Sequence, residues 1–412
     1  MLWIRLAIRN ALRNLRRTLL TAGTVVIATA LMTVIMAYMA GVFGTVIKDY
    51  TAASGHIRIV TTAFAEREAL HPIYENIQGV DEVIKAVIGV KGVMDAEARI
   101  QTGVVLTADE EIGDDFTLIT GATQDYYRKH LRGEESLAEG RWLSGKPKEV
   151  VLGRRLAAQL EATLGDEILM LGQTQYGSMS PVTGKLVGIV GGNAMLDQQA
   201  YMPLSEIQWL TDIPEGALEI MVYAKGHEKW QLASVVERLR KLPALAEMEV
   251  SAWYEREPWN TMLGMVNGIK SFIHFFIMFL AALAIFNTMS MSVMERTGEI
   301  GVMRAMGLSR PKTLGLFLVE SLCIGLLGGT VGAALGSAGG WYLETYGITL
   351  GEDVASKIGA SFPMKATVYA DLSMSTIITA IILGLVIAIM GAMLPAFRAS
   401  SIQPVRAMRA RR

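Results

Sequence analysis

The sequence predicts a membrane protein with four transmembrane α-helices and a large α+β extracytoplasmic domain between helices 1 and 2. Three observations carry this reading. The chain of 412 residues is 51% hydrophobic and only 19% charged, whereas soluble domains carry roughly a quarter charged residues. Four apolar stretches each reach the roughly 20 residues that an α-helix needs to cross a hydrocarbon core. Lysine and arginine crowd some ends of those stretches and avoid others, as the positive-inside rule requires.

The four stretches are Thr18 to Ile47, Ser271 to Met294, Ser321 to Leu343 and Leu372 to Phe397, and none contains Asp, Glu, Lys or Arg. With their flanks they give spans over 18–47, 269–294, 313–343 and 372–397. The first run is far longer than the roughly 7–15-residue core of a signal peptide, so it reads as a span. Arg5, Arg9, Arg13, Arg16 and Arg17 precede span one with no acidic residue among them. Arg398, Arg406, Arg409, Arg411 and Arg412 follow span four, again with none. The loop 295–312 adds Arg296, Arg304, Arg310 and Lys312. The loop 344–371 instead sets Lys357 and Lys365 against Glu344, Glu352, Asp353 and Asp371. Both termini and 295–312 are therefore expected in the cytoplasm, with 48–268 and 344–371 outside. Residues 1–17 place arginines at near-helical spacing among Leu2, Trp3, Leu6, Leu12 and Leu15, the pattern of an amphipathic helix on the inner leaflet. Residues 398–412 form a basic cytoplasmic tail.

The segment 48–268 reads as mixed α and β. Val83, Ile84, Val87 and Ile88 give Val80 to Val90 helical spacing, and Val93 to Leu106 then alternates like a strand. Arg154 to Leu164 is a second helix by its leucines at 156, 160 and 164, ended by Gly165 and followed by strand-like Glu167 to Leu171. Lys185 to Val190 is β-rich and leads to Gly191 and Gly192. Ser205 to Leu210 and Glu228 to Leu242 are further helices, with Met221 to Ala224 a strand between them. Ahead of span two stand Trp253, Tyr254, Glu255, Arg256, Glu257, Pro258 and Trp259. These aromatics suit a membrane interface, or a structured joint between the outer domain and the span.

Catalytic constellations are not found. His56, His71, His130, His227 and His274 are scattered, without HExxH or another metal-ligand spacing, and no serine stands in a GxSxG elbow. His274 lies near the outer end of span two, where a neutral imidazole costs little. Glu320, at the inner end of span three, is expected to face the headgroups. One cysteine, Cys323, excludes an intramolecular disulfide or a multi-cysteine zinc site. The net charge of −1 argues against a nucleic-acid binder. No metal and no bound cofactor are expected.

Two segments stand out. Gly328, Gly332, Gly336 and Gly340 recur four apart, a small-xxx-small face that lets helix backbones approach in lipid. The residues alone do not say whether its partner is span one, another span or a second protomer. Residues 287–307 read NTMSMSVMERTGEIGVMRAMG. In this cytoplasmic loop Ile300, Met303 and Met306 can share an apolar face while Glu295, Arg296, Glu299 and Arg304 supply charge. So short and so charged a loop suits a docking element, or a helical reversal held by i,i+4 pairs.

This pattern closely resembles the FtsX-like permease family, whose signature is N-x-M-x-x-[ST]-V-x-E-R-x-x-E-I-G-x-x-[RK]-A-x-G. Glu320 and Ser321 at the start of span three, and Pro395, Ala399, Pro404, Ala407 and Arg409 at the chain's end, are similar to that family too. So is VVLGRRLAAQLEATLGDEILML, residues 150–171. The resemblance implies that 295–312 is a coupling helix docked on a separate dimeric ABC ATPase. Carried over by position, that role falls on Glu295, Arg296, Glu299, Ile300, Arg304, Ala305 and Gly307. It implies ATP and magnesium on the ATPase, since this chain holds no G-x-x-x-x-G-K-[ST], unlike MacB-type members with a fused ATPase. It also implies a second copy of the chain or a related permease, a MacB-like core within 48–268, and a Gram-negative inner membrane, while Trp253 and Trp259 are the residues the joint reading rests on.

The function so implied is that of a mechanotransmission permease, moving its outer domain to extract a lipoprotein or lipid, or to export an amphiphile through a periplasmic adaptor. Trp253 resembles the lipoprotein-releasing branch, whereas Thr345 to Asp371 does not match that branch's P-x-x-x-Y pattern. The alternative is a transmembrane regulator that uses ATP-driven motion to switch on an extracytoplasmic enzyme such as a cell-wall hydrolase.

Overall fold

A computed structural model of the chain describes residues 15–108, 115–191, 196–226, 229–349 and 367–403. In chain order, α1 (Leu15–Ser54) leads to β1 (Ile57–Thr61), α2 (Thr62–Glu66), α3 (Val80–Ile88), β2 (Val93–Thr107) and β3 (Asp115–Ala122). There follow β4 (Leu137–Gly140), β5 (Glu149–Gly153), α4 (Arg154–Gln159), β6 (Glu167–Gln173), β7 (Met179–Val190) and β8 (Gln199–Pro203). Then come α5 (Leu204–Thr211), β9 (Glu219–Ala224), α6 (Lys229–Arg240) and β10 (Met248–Ala252). The last are α7 (Trp259–Glu295), α8 (Thr297–Ala305), α9 (Arg310–Tyr346), β11 (Ile348–Thr349), β12 (Thr367–Val368) and α10 (Met374–Ser401). The chain divides into a helical unit (Met1–Gly44, Gly264–Thr349, Thr367–Arg412) and a globular unit (Thr45–Leu263, Leu350–Ala366).

The globular unit is built on one ten-stranded sheet in the order β10-β1-β9-β2-β3-β8-β5-β7-β4, with β6 pairing to both β2 and β7. The strand β2 organises it, pairing antiparallel with β3, β6 and β9. It is long enough to do so, and its side chains alternate between buried and half-buried from Gln101 to Thr107, so one face meets the core. Parallel pairs β3–β8 and β5–β7 need crossovers, supplied in part by α4 and β6. The core gathers Val83 and Val87 of α3, Ile207 and Leu210 of α5, and Leu232, Val236 and Leu239 of α6 against the strands. The helix expected from Arg154 to Leu164 is shorter than its leucine spacing suggests. It stops at Gln159 because Glu161 takes a left-handed conformation (φ +49°) and Asp166 accepts from the Thr163 amide and hydroxyl, closing a turn.

The helical unit holds four helices long and apolar enough to cross a membrane, within α1, α7, α9 and α10. The span expected to end at Ile47 continues helically to Ser54, and the one expected from 269 already begins helically at Trp259. The glycine face of α9 packs on α1. A Cβ at Gly332 would lie 2.5 Å from the Val26 carbonyl oxygen, and one at Gly336 would lie 2.6 Å from the Ala30 carbonyl oxygen. At Gly328 it would meet Val25 at 2.9 Å, and at Gly340 it would meet Leu372 and Ala37 at 3.4 and 3.5 Å. Gly325 and Gly329 turn to α10, against Ala388 and Ile381. One helix therefore presents glycine to two neighbours, and span one is the main partner of the four-residue repeat. On α9, Gly325, Gly328, Gly332 and Gly336 make close approaches that a side chain could not share, whereas a Cβ at Gly329 would meet ordinary contact at 3.4 Å. By contrast α7 is the least covered of the four, with Phe272, Phe275, Phe276 and Phe279 exposed.

The amphipathic helix expected over 1–17 lies outside the described residues as far as residue 14. The tail from 404 and the loop between 350 and 366 also lie outside them. The ends of that loop form a small antiparallel pair, Ile348 with Val368 and Thr349 with Thr367.

Candidate functional site

Two sets of residues join helices to what surrounds them. The first is the turn between α7 and α9. The α7 helix ends at Glu295, Arg296 breaks the run with φ −98° and ψ +11°, and α8 follows. Ile300 is buried with Met289, Val293, Phe317, Ala396 and Ala399, so the apolar stripe of α8 faces inward. Two arginines add polar ties. Arg296 Nη1 lies 3.7 Å from Glu320 Oε2, both side chains largely buried. Arg304 Nη1 donates 2.8 Å to the Ser400 carbonyl in the last turn of α10 and also to that of Ile402, its C-terminal cap. Such carbonyls have no partner within their own helix, and a cation there is favourable.

Glu320 is thus not at the headgroups, as its position in the sequence suggests; it is 4% exposed and turned to Arg296. Gly307 takes φ +100°, which a side chain would oppose, and ends the turn after α8. Pro311 in the first turn of α9 restarts the helix. The remaining sequence-predicted residues point outward. Glu295, Glu299 and Ala305 are exposed. With them stand Met294, Val302 and Met306, at 76%, 44% and 76% exposure. Glu299, Val302 and Met306 are spaced to share one side of α8 and its C-terminal cap.

The second set lies in the globular unit, where α1 ends and α7 begins. Trp253 and Trp259 are 4% and 6% exposed and belong to the sheet's own core. Their ring centroids are 6.3 Å apart at 78°, and Trp259 lies 4.4 Å from Tyr50 near the end of α1. They are packed in protein, not set out as an interfacial belt. The C-terminal carbonyls of α1 are bound from the sheet. Arg99 Nη1 donates 2.6 Å to Ala53 O, the Tyr126 hydroxyl 2.8 Å to the same oxygen, and the Tyr223 hydroxyl 2.9 Å to Ala52 O. Arg99 Nε in turn donates 2.7 Å to Glu219 Oε1. Burial opposes the charge of Arg99, but Glu219 outweighs it and raises the guanidinium's pKa. Burial likewise pushes the Glu219 carboxyl up, yet Arg99 brings it below its ordinary value overall.

Nearby, Arg58 makes a two-pronged bond to Glu68, at 2.5 and 2.7 Å. Arg256, three residues before α7, is 7% exposed and lies over the Tyr50 ring at 5.3 Å. Burial lowers its pKa, and its Nε and Nη2 find no hydrogen-bond partner among the described residues. The sequence marks the tryptophans of this root. It does not mark Arg58, Arg99 or Glu219, which lie in strands far apart in the chain and meet only through the pairing of β1, β2 and β9.

Four membrane-length helices, a large α+β domain inserted between the first two, and a short helix between the second and third define a membrane permease with an inserted outer-type domain. The comparisons agree. Residues 18–242 match the MacB-like periplasmic core domain, and residues 271–404 match the FtsX-like permease C-terminal family. The chain belongs to this family of ABC transporter permeases.

It is 22% identical over 424 residues to an uncharacterized ABC transporter permease, YknZ, of Bacillus subtilis, covering 98% of each chain. It is 25% identical over 427 residues to a macrolide export ATP-binding/permease protein, MacB, of Nitrobacter winogradskyi, covering 98% of this chain but 60% of that one. To a lipoprotein-releasing system transmembrane protein, LolC, of Haemophilus influenzae, it is 22% identical over 284 residues, covering 63% of this chain and 64% of that one.

Proposed function

We propose that this permease works by mechanotransmission. A dimeric ABC ATPase on the cytoplasmic side, holding ATP and magnesium, docks on the exposed side of the α7–α8 turn. Its closure moves the membrane helices, and they drive the globular unit on the far side. The positive charge beside the termini and the 295–312 loop supports this orientation. One observation carries the reading. The α8 helix is fixed on its inner side by Ile300, Arg296 and Arg304 to α9 and α10, while Glu295, Glu299, Val302 and Met306 remain exposed. A push on that surface is handed directly to two spans.

The same logic applies at the root. Hydrogen bonds from Arg99, Tyr126 and Tyr223 grip the end of α1, and Trp259 starts α7 inside the sheet's core. Trp253 and Trp259 are accordingly read as the joint that passes helix motion to the domain. The permease acts as a pair, with a second copy or a related chain. Its cargo is a lipoprotein, a lipid or another amphiphile, met in the outer leaflet or handed to a periplasmic adaptor. The bacterial inner membrane is its site.

The test is co-purification in mild detergent with the double substitution Glu299→Lys and Val302→Asp. The wild-type chain should bring down a stoichiometric ATPase and support its activity, and the variant should lose both while remaining folded. Undiminished association of the variant would remove the docking surface from the argument.

A further inference from the structure

Beside the α1 root, three metal-ligating side chains converge. Asp95 and Glu97 alternate on β2, so both carboxylates leave the same side of the strand. The register against β9 shifts between Val93 and Asp95, a bulge that re-aims the Asp95 side chain. His130 arrives from the other direction, at the end of a single π-helical turn (Tyr126–His130) after β3. Its Nε2 is 3.0 Å from Asp95 Oδ2. One ligand atom from each of the three residues lies within 4.8 Å of the others, and no other group of His, Cys, Asp and Glu among the described residues does this.

Two features set the cluster apart from a solvated polar patch. The His130 ring is stacked on Tyr223 with centroids 3.4 Å apart and planes 3° from parallel, so its direction is fixed. Tyr223 is itself the cross-strand neighbour of Asp95. Glu97 is 7% exposed, and its Oε2 accepts a hydrogen bond from the Thr123 hydroxyl. A neutral hydroxyl compensates poorly for a buried carboxylate. Lys129 faces the group from the same turn, with Nζ 3.7 Å from Asp95. It sits closer to Asp125, at 2.6 Å, and its side chain is about half exposed, so it does not enter.

We propose that Asp95, Glu97 and His130 bind a borderline divalent transition-metal ion of the zinc class, tying the turn after β3 to β2. The donor set decides the class. Calcium and magnesium take oxygen ligands, whereas imidazole with carboxylates suits zinc and its neighbours. A tetrahedral ion with ligands at about 2.1 Å separates them by about 3.4 Å, so the atoms, all within 4.8 Å of one another, need to close by at most about 1.4 Å. Asp95 and His130 already lie inside that span. The ion replaces the proton shared on Nε2, leaving the imidazole proton on Nδ1. Three protein ligands leave a position for water.

The full chain, purified in detergent and stripped with a chelator, should take up Zn²⁺ alone at one ion per chain by calorimetry, with Mg²⁺ and Ca²⁺ binding at least tenfold more weakly. Glu97→Gln and His130→Gln should each weaken uptake at least about tenfold. His71→Gln, on an exposed turn, should alter nothing. X-ray absorption on the zinc-loaded wild-type chain should show one imidazole among oxygen donors, and that measurement stands even if a variant misfolds. No stoichiometric uptake, uptake unchanged in both ligand variants, preference for Mg²⁺ or Ca²⁺, or a shell without imidazole would each overturn the site.

Discussion

In the helical unit the decisive close approaches are between backbones. In the globular unit they are between charged side chains and carbonyl oxygens. Gly332 brings α9 so near α1 that a Cβ would stand 2.5 Å from the Val26 carbonyl oxygen. Arg99, by contrast, reaches across the sheet to close off the end of α1 and holds Glu219 at 2.7 Å. The difference follows from the solvents. In lipid, apolar surface gives no drive for helices to associate, so contact area and backbone proximity must do it. In a water-soluble domain the hydrophobic core supplies the drive, and buried charges are tolerated where they satisfy groups that nothing else reaches.

The largest effect should come from breaking the charged contact. Arg99→Met leaves Glu219 buried without its guanidinium and strips a donor from Ala53 O, which should destabilise the globular unit by about 3–5 kcal/mol. Thermal or denaturant unfolding of the full chain in detergent would show it. Adding Glu219→Gln should recover a good part of that loss, as a double-mutant cycle reads directly. The same pair predicts an acid limit. Arg99 holds the Glu219 carboxyl below its ordinary value, and the hydrogen bond from Arg58 does so for Glu68. A carboxyl with a depressed folded pKa contributes stability that is fully present above its unfolded pKa of about 4.3 and is lost as pH falls through the folded value. Stability of the unit should therefore fall with acid below pH 5, and less steeply in the double variant.

Gly332→Ala probes the other side of the comparison. Its methyl has no space, since backbone atoms of α1 cannot give way as a flexible side chain would. The expected cost is about 1–3 kcal/mol, by overpacking. Gly315 lies on the same helix with nothing within 4 Å of a Cβ, so Gly315→Ala should be neutral or stabilising by up to about 1 kcal/mol. Equal effects at the two positions, measured by denaturant resistance in detergent, would break the argument that α9 packs by proximity.

How much of this was legible in the sequence divides along the same line. The spans, the turn after span two and the four-residue glycine repeat follow from hydropathy and spacing, because helix contacts in lipid depend on one-dimensional periodicity. The partner of the glycine face does not, since Gly325 and Gly329 address α10 while their neighbours address α1. In the globular unit α3, β2, α5 and α6 are readable from amphipathic patterns. The strand β5 (EVVLG) is buried at every residue and so shows no alternation. The root cluster and the Asp95–Glu97–His130 group were invisible for a different reason. Their members come from separate strands and turns, and only sheet register brings them together. Even within the α7–α9 turn, sequence resemblance grouped residues that the structure separates, with Arg296, Ile300 and Arg304 turned inward and Glu295, Glu299 and Ala305 outward.

That separation gives small stability effects and the sharpest functional contrast. Arg304→Ala removes hydrogen bonds to the Ser400 and Ile402 carbonyls at the end of α10. It should cost about 1–2 kcal/mol and loosen the end of that helix, measurable as faster amide exchange around residues 400–402. Glu299→Ala, on an exposed helix surface, should move stability by no more than about 0.5 kcal/mol. If docking runs through the exposed side, Glu299→Ala should nonetheless weaken association with the ATPase, while Arg304→Ala should spare association and reduce the activity transmitted through it. The reverse pattern would mean that the ATPase binds the inner side, which requires α8 to leave α9 and α10 on docking.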